Sequence, residues 1–84
     1  MIEKMIPDLY WDNEYWCIRK IDSLDEAKNL LEICDGSIKN VLIICDICKN
    51  VDENISQLFN KVKWLDKLII KKGNQLVGIY KRTI

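Results

Sequence analysis

Two cysteines, Cys45 and Cys48, have a Cys-x-x-Cys spacing that is the feature of this sequence most able to carry chemistry. They close a run of apolar residues typical of a buried strand, and open α/β folds place ligand sites at the ends of such strands. A Cys-x-x-Cys pair before a helix N-terminus supports disulfide exchange, because the helix end lowers the pKa of the first thiol. One hypothesis is therefore a thiol redox domain that uses Cys45 and Cys48.

The segment 40–62, which begins Asn-Val-Leu-Ile-Ile-Cys-Asp-Ile-Cys-Lys, resembles the corresponding part of thioredoxin-like proteins and covers about a quarter of the chain. The resemblance implies that the cysteine pair is redox-active. The sequence departs from that family where Asp46 and Ile47 replace Gly-Pro or similar residues, and Pro7, the only proline, cannot supply the facing cis-proline loop. An aspartate beside the first thiol also raises its pKa. The alternative is that the first cysteine is a core residue and the second an incidental thiol.

The other polar residues form no complete catalytic or metal site in the sequence. The chain has no histidine, the commonest general base, and its three glycines are too scattered for a phosphate-binding loop. Asp46 ends the apolar run without the second carboxylate of an Asp-x-Asp phosphoryl-transfer motif. A structural zinc site needs two close cysteine pairs, whereas Cys17 and Cys34 stand apart. We therefore expect no enzyme activity, no cofactor and no bound metal.

Residues 8–16, Asp-Leu-Tyr-Trp-Asp-Asn-Glu-Tyr-Trp, concentrate four aromatic and three acidic residues. Aromatic side chains with a polar edge are enriched at binding hot spots, and neighbouring carboxylates steer a basic partner. The candidate partner-binding residues are Asp8, Tyr10, Trp11, Asp12, Glu14 and Tyr15. The alternative is that Trp16 and Tyr10 only cover the end of a sheet.

These features favour a non-catalytic protein-binding module over an enzyme. The form that best fits a small chain is an inhibitor, either an immunity or antitoxin-type protein or a phage-encoded blocker of a host defence enzyme. A basic nuclease or another nucleic-acid-binding enzyme suits the acidic segment as a partner, because carboxylates can occupy the place of phosphate in a basic cleft. The thioredoxin-like redox domain is the alternative.

The charges separate along the chain. Residues 1–38 carry nine acids and four bases, a net charge of −5, whereas residues 39–84 carry four acids and nine bases, a net charge of +5. The zero total argues against nucleic-acid binding, although a basic C-terminal hairpin could follow phosphate. Lysines on an edge strand also prevent edge-to-edge pairing, which is the preferred interpretation. A homodimer that forms through the edge strand is a further hypothesis.

Length and apolar content predict one globular domain spanning residues 1–84. The longest apolar run, Val41 to Cys45, is far shorter than the roughly 20 residues that cross a membrane. The N-terminus lacks the apolar core of a signal peptide. We therefore expect a cytoplasmic protein with no membrane partner.

The apolar pattern predicts a small α/β fold with the order βαβαββ, a mostly parallel three-stranded sheet extended by a C-terminal antiparallel hairpin, and two helices. The predicted strands cover 15–21, 40–48, 66–72 and 75–82, and the predicted helices cover 24–35 and about 52–65. The central strand has no polar alternation, which is typical of burial on both faces.

The boundaries of the first elements rest on a few local signals. Pro7 interrupts any regular start and predicts an irregular lead-in over 1–13. A capping box formed by Ser23 and Glu26 begins the first predicted helix, and Gly36 supplies its left-handed end.

Overall fold

Residues 2–83, the part of the chain that the computed structural model describes, form a five-stranded mixed sheet and two α-helices. In chain order the elements are β1 (Leu9–Trp11), β2 (Glu14–Ser23), a 3₁₀ turn (Leu24–Glu26), α1 (Ala27–Glu32), β3 (Asn40–Ile47), α2 (Val51–Lys61), β4 (Lys67–Lys72) and β5 (Gln75–Lys81). The spatial order of the strands follows the sequence. Strands β2, β3 and β4 are parallel, whereas β1 and β5 are antiparallel edge strands.

The N-terminal segment is more regular than the predicted irregular lead-in. Strand β1 pairs with the start of β2, so the expectation for 1–13 was wrong at Leu9–Trp11. The reason is a tight turn at Asp12 and Asn13 that returns the chain antiparallel to itself. Further upstream, the backbone N–H of Glu3 donates to the carbonyl of Ile33 and ties the segment to the end of α1.

Both helices pack on one face of the sheet. Because β2, β3 and β4 are consecutive neighbours, two right-handed crossovers place α1 and α2 on the same side. The buried sheet residues that meet buried helix residues such as Leu31 and Leu58 alternate along the strands. They are Cys17, Val41, Ile43, Cys45, Leu68 and Ile70.

The opposite face of the sheet has no helix over it in the described chain. Pairing aligns Ile18, Leu42, Ile69 and Ile79 side by side across β2 to β5 on that face. Leu42 is half-buried and Ile79 is largely exposed. The prediction that the central strand is buried on both faces was therefore wrong, because its second apolar side lies on an open sheet face.

The first helix is shorter than predicted. The segment after Ser23 begins with the 3₁₀ turn before α1, and the Ser23 side chain makes no capping hydrogen bond. The predicted capping box is therefore not formed. Gly36 does adopt the left-handed conformation, with φ of 75°, and a Cβ there would lie 2.7 Å from Cγ of Trp64. The chain thus needs glycine at this position for both backbone conformation and space.

Candidate functional site

The acidic and aromatic segment 8–16 folds into a β-hairpin whose turn has two residues. Asp12 and Asn13 both have positive φ, 54° and 63°, which is the conformation of the type I′ turn that matches the twist of paired strands. Trp11 pairs with Glu14 across the turn. We refer to residues 8–16 as the aromatic hairpin.

The aromatic hairpin divides its aromatic residues between two faces. Tyr10 and Tyr15 are paired across the strands on one face, with ring centroids 4.9 Å apart. They are 59% and 58% exposed, so two adjacent phenol rings face solvent. Trp11 and Trp16 lie on the other face with ring centroids 5.6 Å apart.

The two tryptophans have different roles in the fold. Trp16 is almost completely buried and its Nε1–H donates to the carbonyl of Trp11 over 3.0 Å. Trp11 is 50% exposed above it. Trp16 therefore anchors the hairpin, as expected for a residue that covers the end of the sheet, whereas Tyr10 does not bury its ring there.

Two of the three predicted acidic residues hold the hairpin in place. The Asp8 carboxylate accepts a hydrogen bond from the backbone N–H of Ile18 over 2.8 Å and lies 3.6 Å from the guanidinium of Arg19. Glu14 forms an ion pair with Lys67 of β4, and its hydrogen bond raises the pKa of Lys67. These two carboxylates thus fix the hairpin, while Asp12 projects from the exposed turn.

The cysteine pair lies at the other end of the parallel strands. Cys45 is fully buried within β3, and Cys48 follows the strand in a half-buried position. The two are joined as a disulfide with their Cα atoms 6.6 Å apart. The sequence predicted a lowered pKa for the first thiol, Cys45, but burial of Cys45 leaves Cys48 as the sulfur that another molecule can reach.

The other two cysteines are reduced and buried. The Cys17 thiol donates to the carbonyl of Ile6, and the Cys34 thiol donates to the carbonyl of Leu30. Burial raises the pKa of both thiols, which keeps them protonated and unreactive. Within residues 2–83 no group of three cysteine, aspartate or glutamate side chains has the arrangement of a metal site.

The basic C-terminal residues also divide into structural and exposed groups. Arg82 donates to the carbonyls of Val62 and Leu65, each over 2.8 Å, and its guanidinium lies 5.2 Å from the ring centroid of Phe59. It therefore belongs to the packing of the fold. Lys71 and Lys72 lie on β4, one strand inside the sheet edge.

The exposed apolar surface of β5 is a feature that the sequence did not predict. Apart from Lys81 at its end, this edge strand has none of the lysines expected to guard it. Its exposed apolar residues are Leu76, Val77 and Ile79. The sequence predicted an antiparallel edge strand here, but basic residues expected to protect it, including Lys71 and Lys72, lie on β4.

Comparison with protein-family models, with curated proteins and with solved structures returned no match. Across the described part of the chain, the helices are too short and polar to cross a membrane.

Proposed function

We propose that this chain is a non-catalytic, cytoplasmic protein-binding module that acts as a small inhibitor, of the immunity or antitoxin type or of the phage anti-defence type. The aromatic hairpin is the binding element. The partner is a protein with a basic surface, such as a nuclease or another nucleic-acid-binding enzyme.

The observation that carries this proposal is the exposed tyrosine pair on a rigid hairpin. Tyr10 and Tyr15 keep more than half of their surface in solvent although each has a large aromatic ring. Tyrosine has little conformational entropy to lose on binding, and it contributes both an apolar ring and a hydroxyl donor. Anchoring through Trp16 and the Glu14–Lys67 ion pair fixes the hairpin before a partner arrives.

The charge distribution supports a basic partner. Asp12 at the hairpin turn is exposed, and the N-terminal part of the chain has a net charge of −5 over residues 1–38. A negative surface raises the association rate with a basic protein, and this effect weakens as salt concentration rises. Inhibition then follows from occupation of the basic cleft by the hairpin, with no chemical step.

Affinity capture from cells of the native host tests this proposal. The tagged chain should retain a basic protein that a variant carrying both Tyr10→Ser and Tyr15→Ser loses. Ile33→Ser is the matched control, because Ile33 is also an exposed apolar residue but lies at the end of α1 and outside the hairpin. Equal capture by the tyrosine variant and the wild type would overturn the proposal.

A second candidate is a thioredoxin-like thiol redox function, which is supported by the Cys45–Cys48 disulfide. In this mechanism a thiolate of a dithiol partner attacks Sγ of Cys48, forms a mixed disulfide and releases Cys45 as a thiolate that takes up a proton. The partner's second thiol then displaces Cys48. The partner dithiol is oxidised to a disulfide as this chain gains two thiols.

Insulin reduction coupled to a dithiol reductant tests the redox function. Wild-type chain should accelerate the reaction, and Cys48→Ser should not, whereas Cys34→Ser should behave as wild type because Cys34 is buried and unpaired. Full activity of Cys48→Ser would exclude this candidate. The hairpin and the disulfide lie at opposite ends of β2 and β3, so each set of substitutions leaves the other site intact.

A further inference from the structure

The outer edge of β5 has backbone groups that point away from the sheet. The N–H of Arg82 donates to the carbonyl of Asp66, which makes these two residues a hydrogen-bonded pair of the β4–β5 ladder. In antiparallel pairing, hydrogen-bonded and non-hydrogen-bonded positions alternate. Lys81 and Ile79 are therefore the positions whose N–H and C=O groups point outwards, where a further strand could bind them.

Exposed apolar side chains accompany this free edge. Ile79 is 64% exposed and Leu76 is 54% exposed, although a soluble edge strand is ordinarily protected by charge, by proline or by a covering element. The strand runs seven residues from Gln75 to Lys81 without a proline, and a register shift opposite Ile70 and Lys71 leaves Gly78 to Lys81 as its regularly paired stretch. Its outer edge is thus long enough and apolar enough to pair.

A groove lies on each side of β5. On the helix side, a groove of about 500 Å³ is bounded by Ile55 and Phe59 of α2 and by Tyr80 of β5. On the open face of the sheet, a cleft of about 270 Å³ is bounded by Trp11 and Ile79. Alternate side chains of an added strand point to opposite faces, so one set would enter each groove.

We propose that the β5 edge is a docking site for an extended segment of another protein, which adds antiparallel to β5 as a sixth strand. This site is separate from the tyrosine face of the aromatic hairpin and does not depend on the proposed inhibitory function. Backbone hydrogen bonds to Ile79 and Lys81 supply affinity that does not depend on the sequence of the segment, and the two grooves select its side chains.

Charge identifies the chemistry of the segment. Lysines at positions 67, 71, 72 and 81 lie on β4 and β5, and Lys67 alone among them has a carboxylate partner in the described ion pairs. The favoured segment therefore alternates apolar residues with glutamate or aspartate. A second copy of this chain fits less well, because pairing two β5 strands would bring two such lysine groups together.

Selection from a displayed library of random twelve-residue peptides tests this proposal. Peptides selected on the wild-type chain should alternate apolar and acidic residues, and synthetic copies should shift the amide resonances of Ile79 and Lys81. Ile79→Pro removes one outward N–H while leaving the β4 hydrogen bonds in place, so binding should fall about tenfold or more. Ile79→Ala is the matched comparison, because it retains the N–H and removes only the contribution of the side chain to the cleft, so binding should fall less than with Ile79→Pro.

Charge reversal provides a second measurement that does not depend on tolerance of proline. Lys81→Glu should weaken the selected acidic peptides and restore binding of peptides in which glutamate is replaced by lysine. The proposal is overturned if no peptides are enriched, if the enriched peptides lack acidic residues, or if Ile79→Pro binds them as wild type does. A wild-type chain that is dimeric by light scattering and becomes monomeric as Ile79→Pro would assign the edge to a second copy instead.

Discussion

Loss of the Cys45–Cys48 disulfide should destabilise the fold by an amount set by its short loop. The sequence separation of 3 gives a stabilisation of about 2 kcal/mol from the reduced entropy of the unfolded chain. Cys48→Ala removes the crosslink and leaves the buried thiol of Cys45 in place. Cys45→Ala removes the crosslink and also empties a fully buried position, which adds about 1 kcal/mol for the lost packing.

Urea unfolding followed by tryptophan fluorescence measures both the contribution of the crosslink and that of the packing of Cys45. The free energy of unfolding should decrease from oxidised wild type to Cys48→Ala and decrease again to Cys45→Ala. A dithiol reductant should lower the free energy of unfolding of the wild type to that of Cys48→Ala. It should leave the stability of both variants unchanged, because Cys17 and Cys34 are already reduced. Wild-type stability that is insensitive to the reductant would refute the crosslink, and equal stability of the two variants would refute the unequal burial of the cysteines.

Two further predictions concern the loop that follows α1 and can be checked by thermal unfolding. Gly36→Ala should lower the free energy of unfolding by about 3 kcal/mol and Gly73→Ala by about 1 kcal/mol. Both glycines have positive φ, but only at Gly36 would the new Cβ meet a ring, that of Trp64. Equal losses of stability would contradict this contact. Hydrogen bonds from the N–H and hydroxyl of Ser37 lower the pKa of Asp35, so their stabilisation is complete above the pKa of the unfolded chain and is lost as pH falls through the folded value. The melting temperatures of Asp35→Ala and wild type should therefore differ near neutral pH and approach each other as pH falls below the ordinary range of an aspartate carboxyl, and a constant difference would contradict the assignment.

Much of the α/β framework could be predicted because its signals are local. The apolar run that ends near Ile47 and the amphipathic pattern around Leu58 fixed the positions of β3 and α2 to within a few residues. The parallel pairing of β2, β3 and β4 followed from the helical connections between them. The turn at Gly73 produced the expected antiparallel edge strand.

Elements that depend on distant contacts could not be predicted in the same way. The turn at Asp12 and Asn13 has no glycine, so the sequence carried only a weak signal for the β1–β2 hairpin. The cap at Ser23 was predicted from residue type alone, whereas the chain there continues as β2 into a 3₁₀ turn. The uncovered sheet face follows from strand order, which local periodicity does not determine.

The candidate site was predicted in composition but not in arrangement. The segment containing Tyr10 and Tyr15 was identified as aromatic and acidic, yet its division into an exposed tyrosine face and an anchored tryptophan face depends on strand pairing. The use of Asp8 as an internal hydrogen-bond acceptor also needed the register of β1 against β2. The residue types of the site could therefore be predicted from the sequence, whereas the role of each residue depends on the pairing of β1 with β2.

The most direct test of the proposed function is amide hydrogen exchange of the chain alone and in complex with the basic protein that it captures. We expect new protection of backbone amides in the aromatic hairpin, residues 8–16, with Tyr10 and Tyr15 at its centre. Protection at the hairpin should disappear with loss of binding in the double tyrosine variant. A complex that leaves the hairpin amides unprotected and instead protects the segment around Cys48 would contradict the hairpin as the binding element.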